Sequence, residues 1–405
     1  MGLNAPGASA PPIALYVHFP WCVRKCPYCD FNSHTLHGEL PQQAYLDALL
    51  VDLDAQRPQL GERPIVSIFL GGGTPSLFQP DAIGSFFERV RERVSIAPDA
   101  EITLEANPGT IERGRFADYR AAGINRVSLG AQSFDAAQLT TLGRIHSAHD
   151  THVAVEELRA AGLDNFNLDL MYALPGQTLD GALADLRTAI ALQPAHISHY
   201  QLTMEPGTVF GGRPPPGLPD DDNSYAMQQA CQQELAQAGY AHYETSAYAR
   251  DGAQCAHNLN YWRFGDYLGI GAGAHGKLTD GAALTPSAAL SITRTVRERE
   301  PRRYLARGHL DAPSATAVAR VDLPFEFMMN ALRLVGGFDE TLFESRTGLD
   351  WNAIAGSASH PINRLAERGL LESIPGAPGN WRPTAFGQHF LNDVIAEFLP
   401  TRPGT

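Results

Sequence analysis

Tyr16-Val-His-Phe-Pro-Trp-Cys22-Val-Arg-Lys-Cys26-Pro-Tyr-Cys29-Asp-Phe-Asn-Ser-His34 is the stretch on which the reading of this chain turns. Three of the five cysteines fall in it, separated by three residues and then by two. Soft thiolates crowded this tightly wrap a metal centre. A cubane cluster has four irons, so three cysteines leave one iron open to bind a small molecule and act on it. Pro27 removes a backbone donor and breaks any helix through the motif. The segment therefore reads as a loop folded around something, directly after an apolar strand at 13–19. A structural zinc site with His18 or His34 as fourth ligand is the competing reading. Zinc sites usually bring two paired Cys-x2-Cys elements, and a second pair is missing from the sequence. An odd cysteine count without a signal-peptide pattern speaks against a disulfide framework and for a reducing, cytoplasmic compartment.

The loop and its flanks, Tyr-Val-His-Phe-Pro before and Cys-Pro-Tyr-Cys-Asp-Phe-Asn after, resemble the radical S-adenosylmethionine (SAM) enzymes. Within them the chain is similar to the group related to oxygen-independent coproporphyrinogen III oxidase, over residues 13–399. The resemblance implies a 4Fe-4S cluster on Cys22, Cys26 and Cys29, with SAM chelated at the open iron. An electron from the cluster would cleave the sulfonium and give a 5′-deoxyadenosyl radical.

From residue 13 to about 203 short apolar runs alternate with amphipathic stretches, the signature of βα units and a parallel sheet. Strands are expected at 13–17, 66–70, 101–106, 126–130, 166–172 and 196–202. Between the last two, Leu183, Leu186 and Ile190 recur at helical spacing over 180–192. Six units are fewer than the eight of a closed barrel, and the resemblance implies an α/β fold: a partial (β/α)6 TIM-like barrel over 13–245. In parallel barrels the chemistry collects at the C-terminal strand ends. After the second strand comes Gly71-Gly72-Gly73-Thr74-Pro-Ser76, whose glycines allow a close approach of backbone to ligand. Glu105 ends the third strand, Gln132 follows the fourth, Arg144 lies beyond it, and Asp169 sits among apolar residues of the fifth. Buried carboxylates are costly without partners, so these point to a shared mouth. By resemblance Gly72, Gly73 and Thr74 hold the SAM amino group. Glu105, Gln132, Arg144 and Asp169 bind its ribose and carboxylate, and Tyr16 and Tyr28 touch the cofactor.

Residues 246–320 form a connecting region whose informative stretch is Cys255-Ala-His257-Asn258-Leu-Asn-Tyr261-Trp262. An imidazole beside flat rings is what an axially ligated porphyrin uses, although a capped turn with core aromatics reads the same way. The stretch matches a motif of the heme-chaperone branch of the group, which implies heme binding by His257, Asn258, Tyr261 and Trp262. Cys255 is a rival ligand. The basic run at 294–303, five arginines, reads as a solvated helix face. Residues 321–399 read as short helices at 325–334, 339–344 and 361–367, a hairpin over 370–383 and a last helix. That order resembles the winged-helix-like α+β C-terminal domain of the oxidase group.

With 405 residues, 44% apolar and 19% charged, the chain suits a large core plus a smaller domain, and no apolar run spans a membrane. Residues 1–12 read as a disordered lead-in. The net charge of −13 argues against broad nucleic-acid binding. The C-terminal part has ten Asp and Glu against six Arg, a balance of −4 that suits a lid facing protein or ligand better than a DNA-binding regulator. Oxidases of the group resemble Cys-x3-Cys-x2-Cys-x-Cys, and the fourth cysteine position is Phe31 here. Their N-terminal arm is also longer than the 21 residues that precede Cys22. Both departures point from porphyrinogen decarboxylation toward a heme chaperone: heme as cargo, heme-accepting proteins as partners, a flavodoxin or ferredoxin as reductant, and a homodimer as a further state.

Overall fold

The computed structural model describes residues 10–109, 114–280, 290–352 and 360–400. Most of the expected lead-in thus lies outside the described residues. Six parallel strands form where the apolar alternation places them: β1 (Ile13–Phe19), β2 (Ile65–Gly72), β3 (Ile96–Ala106), β4 (Arg126–Gln132), β5 (Phe166–Tyr172) and β6 (His196–Gln201). They pair in sequence order. After β6 come β7 (Ala241–Glu244), β8 (Ala247–Ala249), β9 (Asp266–Ile270), β10 (His275–Thr279), β11 (Ile292–Val296) and β12 (Ser314–Ala317). All twelve belong to one sheet of order β12-β11-β10-β9-β1-β2-β3-β4-β5-β6-β8-β7.

Helices α1 (Gln42–Gln56), α2 (Pro80–Arg91), α3 (Phe116–Ala122), α4 (Ala148–Ala160), α5 (Leu179–Ala191) and α6 (Asp221–Gln237) follow successive strands. One face of each strand feeds the core beneath them: Leu15, Ile68, Leu104, Leu129, Leu168 and Ile197 are all fully buried. The opposite face is largely polar, with Ser67, Arg126, Asn167 and His196 buried and Glu101 partly buried inside the curl of the sheet.

Strand β9 is a seventh parallel strand, bonded to β1, and it was not legible in the sequence. The glycine just after it lies close against β1: a Cβ on Gly271 would stand 2.4 Å from the His18 carbonyl oxygen. The basic run at 294–303 is a solvated helix face only at its end, where Arg302 and Arg303 are exposed on the helical turn Pro301–Arg303. Its first three residues belong to strand β11, and Arg297 is 3% exposed, because a buried carboxylate claims it. Asp52 of α1 takes hydrogen bonds from the Gly271 N–H (3.1 Å), the Tyr304 hydroxyl (2.8 Å) and the Gln56 amide (2.7 Å). Arg297 Nε stands 3.0 Å away. This buried pair ties the segment after β9 to the first βα unit.

The last part of the chain has its own core, built on Phe327, Phe338, Phe343, Trp351, Leu365 and Leu371. Its three short strands order as Phe338–Asp339, Asn380–Pro383 and Leu371–Ser373, and Phe264 from the end of the barrel packs into it.

Removing one partner of a buried pair strands the other charge, which costs about 3–5 kcal/mol. Arg297→Ala is therefore expected to lower the first urea-unfolding transition by that order. Arg187→Ala, which opens an exposed pair with Glu234, should leave it nearly unchanged. Equal shifts for the two would contradict the assignment.

Candidate functional site

The cysteine loop is shaped by contacts outside itself. Trp21–Cys22 pairs with His34–Thr35, and the Leu36 N–H donates to the Cys22 carbonyl (2.8 Å). Lys25 Nζ donates to the carbonyls of Phe31 (3.1 Å) and Ser33 (3.0 Å), and Asn32 Nδ2 to those of Ala272 and Arg299 (2.9 Å each). The three thiols thereby border one pocket at the C-terminal ends of β2–β6.

The glycine turn forms the pocket wall. Gly73 N–H donates to the Phe19 carbonyl (2.6 Å) and Thr74 N–H to that of Trp21 (2.7 Å). Gly72 N–H donates to Glu105 Oε2 (3.0 Å). With these donors spent, the turn presents acceptors, which suits an ammonium group. The glycines are required. A Cβ on Gly73 would meet the Trp21 carbonyl oxygen at 2.5 Å, and Gly72, at φ +110°, has the His18 ring where its Cβ would stand.

Glu105, Gln132, Arg144 and Asp169 reach the same pocket from four different segments, and Tyr28 closes a side. Gln132 adopts φ +66°, a left-handed conformation that costs a non-glycine residue, and its Oε1 accepts from the Tyr200 hydroxyl (2.7 Å). Arg144 donates to Asn107 Oδ1 (2.5 Å) and the Gly130 carbonyl (2.7 Å), and Nη1 lies 3.7 Å from Cys26 Sγ. Its buried Nε has no partner among the described residues. Asp169 accepts from Ser128 Oγ (3.1 Å) and Asn167 Nδ2 (2.7 Å). Tyr16 stands deeper. Its hydroxyl bonds His18 Nδ1 (3.0 Å) and its ring stacks near Phe69.

Sequence reasoning missed Asn107, Ser128 and Tyr200, which also line the pocket. Ser128 and Tyr200 had a signal: each lies an even number of residues from another polar inward position on its own strand, Arg126 and His196. Both histidines of the zinc alternative are committed elsewhere. His18 Nε2 meets the Asn32 carbonyl (2.9 Å) and His34 Nε2 meets Asn32 Oδ1 (3.3 Å). Burial pushes the Cys22 thiol up to about 11 and raises that of Cys29. Such thiols become ligands when cationic iron offsets the cost of their charge. Three thiols, a guanidinium with one unpartnered nitrogen and no carboxylate beside it in an ion pair among the described residues, and a cradle of glycines together fit a cluster with a bound amino acid-like cofactor.

The His257 stretch lies elsewhere, on the short helix α7 (Ala256–Trp262) that closes the N-terminal end of the barrel. His257 is 1% exposed, with Nδ1 on Ser67 Oγ (3.0 Å) and Nε2 on the Tyr261 hydroxyl (2.8 Å). Burial pushes its imidazole down to about 3, so it is neutral. Trp262 lies under the Arg333 guanidinium, 4.5 Å from Cζ to the ring centre, and Asn258 is half-buried. The structure brings His257 and Tyr261 together and sets Trp262 on another side.

Residues 16–189 match the family model described as the radical SAM superfamily, and 318–388 that of the HemN C-terminal domain. The heme chaperone HemW of Escherichia coli K12 is 48% identical, covering 96% of this chain and 98% of that protein. The family is thereby shown. This chain belongs to the HemW family of radical SAM proteins. HemW of Haemophilus influenzae is 47% identical over the same shares. A mitochondrial radical S-adenosyl methionine domain-containing protein 1 from Bos taurus is 34% identical, over 91% of this chain and 84% of its own length. The coproporphyrinogen III oxidase HemN of E. coli, a radical SAM enzyme, superposes with a TM-score of 0.78 over 96% of this chain and 90% of its own. At 23% identity that likeness speaks for the fold alone. Membership in the radical SAM superfamily implies the cluster and SAM, and the HemW-family pocket has residues to hold both. No helix among the described residues is long and apolar enough to cross a membrane.

Burial, with the Asp169 charge beside it, pushes the Glu105 carboxyl up to about 7 from an ordinary 4.5. The folded chain then keeps a proton that the unfolded chain releases, so stability falls as pH rises between about 4.5 and 7 and stays lowered above. Glu105→Gln retains an oxygen for the Gly72 N–H. In ligand-free protein it is expected to change little at pH 4 and to stabilise by about 2–3 kcal/mol at pH 8. Urea unfolding at both pH values checks this, and a constant offset at the two would contradict it.

Proposed function

We propose that this chain is a heme chaperone, which binds heme and delivers it to heme-accepting proteins on a radical SAM core. The observation that carries the reading is 48% identity to a heme chaperone over nearly the full length. Phe31 at the position of the oxidases' further cysteine supports it. When bound, the cluster and SAM supply a one-electron cleavage of the sulfonium. This chain's residues do the rest. The acceptors of the Gly72-Gly73-Thr74 turn hold the ammonium end, Arg144 offers a cation to a carboxylate, and Glu105 and Asp169 offer acceptors to hydroxyls.

Heme is placed by this reading at His257, Asn258, Tyr261 and Trp262. Both imidazole nitrogens are hydrogen-bonded in the barrel interior, so iron ligation by His257 needs α7 to leave its seat. The cluster and SAM would then act as the switch that controls that step, in a single copy or through a homodimer. The working setting is the cytoplasm, with a flavodoxin or ferredoxin supplying electrons. Catalytic decarboxylation of coproporphyrinogen III is the second reading, which rests on the resemblance of the cysteine loop and its flanks to the oxidase group.

Anaerobic reconstitution followed by heme titration, with an oxidase assay in parallel, separates the two. Native chain is expected to bind heme stoichiometrically without decarboxylation. His257→Ala, with its fold checked by circular dichroism, should bind at least about tenfold more weakly, or about 1.4 kcal/mol. Conversion of coproporphyrinogen III to the divinyl product without specific heme binding would overturn the chaperone reading.

A further inference from the structure

We infer that Asn167, His196 and Tyr243 couple the SAM pocket to helix α7, so that SAM binding sets how firmly α7 is seated. The inference rests on the SAM pocket and is independent of where heme binds.

The three residues form an unbroken buried chain. Asp169, a wall of the pocket, accepts from Asn167 Nδ2 at 2.7 Å. Asn167 Oδ1 meets His196 Nδ1 at 2.7 Å. His196 Nε2 meets the Tyr243 hydroxyl at 2.7 Å. The Tyr243 oxygen accepts from the Cys255 N–H, the residue just before α7, at 3.2 Å.

The hydrogen-bond capacity of these groups leaves little freedom. Asn167 also donates to Ser128 Oγ (2.8 Å) and accepts from Ser198 Oγ (3.1 Å). Both amide hydrogens and both lone pairs are then in use. An Asn167 carbonyl oxygen can only accept, so His196 carries its proton on Nδ1. Its Nε2 must then accept from the Tyr243 O–H, and the Tyr243 oxygen is left to accept from Cys255. Every link has one allowed direction, and no link can slacken without leaving a buried polar group unpaired, which is costly. A polar series here is not the default filling of a parallel barrel, whose interior layers are mostly branched apolar side chains.

The far end has a second hold on α7 that the chain can reinforce or release. Glu101 Oε1 accepts from the His257 N–H (3.2 Å) and from the Cys255 thiol (3.4 Å). Besides the Ser67–His257 bond, the seat of α7 therefore has two sets of hydrogen bonds around Cys255 and His257, one of them strung from the pocket. A ligand that fixes Asp169 fixes Asn167, His196 and Tyr243 in turn.

The test is amide hydrogen exchange of α7 in the full chain with its cluster reconstituted, with and without saturating SAM, whose binding is measured separately by calorimetry. SAM is expected to slow exchange at 259–263 by about tenfold, within the usual span of coupling between sites. His196→Leu should abolish that response while leaving SAM affinity within about threefold. His196→Gln, which restores a donor and an acceptor, should recover part of it. Tyr243→Phe, which keeps the ring and removes only the last link, should also abolish it, and serves if His196→Leu does not fold. A native α7 indifferent to bound SAM, or a full response in Tyr243→Phe, overturns the inference.

Discussion

A carboxylate taken out of water must be met by donors, and the interior of this barrel is organised by that requirement. Glu101, Glu105 and Asp169 enter the lumen from β3 and β5, and each fixes something beyond itself. Glu105 anchors the glycine turn through Gly72, Asp169 holds Ser128 and Asn167, and Glu101 holds the start of α7. Outside the lumen Asp52 does the same for the segment after β9. The apolar face of each strand secures the fold, while the polar face decides where the ligand-facing groups stand.

The cysteine loop shows the same dependence on distant partners. Three residues supply its chemistry, yet Asn32 holds it to the carbonyls of Ala272 and Arg299, more than two hundred residues away in sequence. Gly73 and Thr74 fasten the second strand end to the carbonyls of Phe19 and Trp21 on either side of Pro20. The site is therefore assembled from the first, second and last thirds of the barrel at once. Residues that touch no ligand fix its geometry.

The six βα strands were legible because each is a short apolar run between amphipathic helices, and the pocket residues were legible because they follow those strands. Gln132, Arg144 and Asp169 came together as their positions implied. Tyr16 did not, since on β1 it points one layer below the mouth. Strand β9 escaped notice because Asp266–Ile270 is short, polar at its start and glycine-bearing, and only pairing with β1 makes it a strand. The basic run at 294–303 misled for a related reason: periodicity cannot reveal that Asp52, far away on α1, is buried and needs Arg297.

What the sequence determined by itself is the order of strands, the cysteine spacing and the strand-end residues, because these follow from local periodicity and from thiol and carboxylate chemistry. The tertiary structure alone decided that His257 faces inward with both nitrogens occupied, and that a hydrogen-bonded series runs from Asp169 to Cys255. The physical reason is that a side chain's function depends on which donors and acceptors surround it, and those come from strands that only the folded sheet brings together.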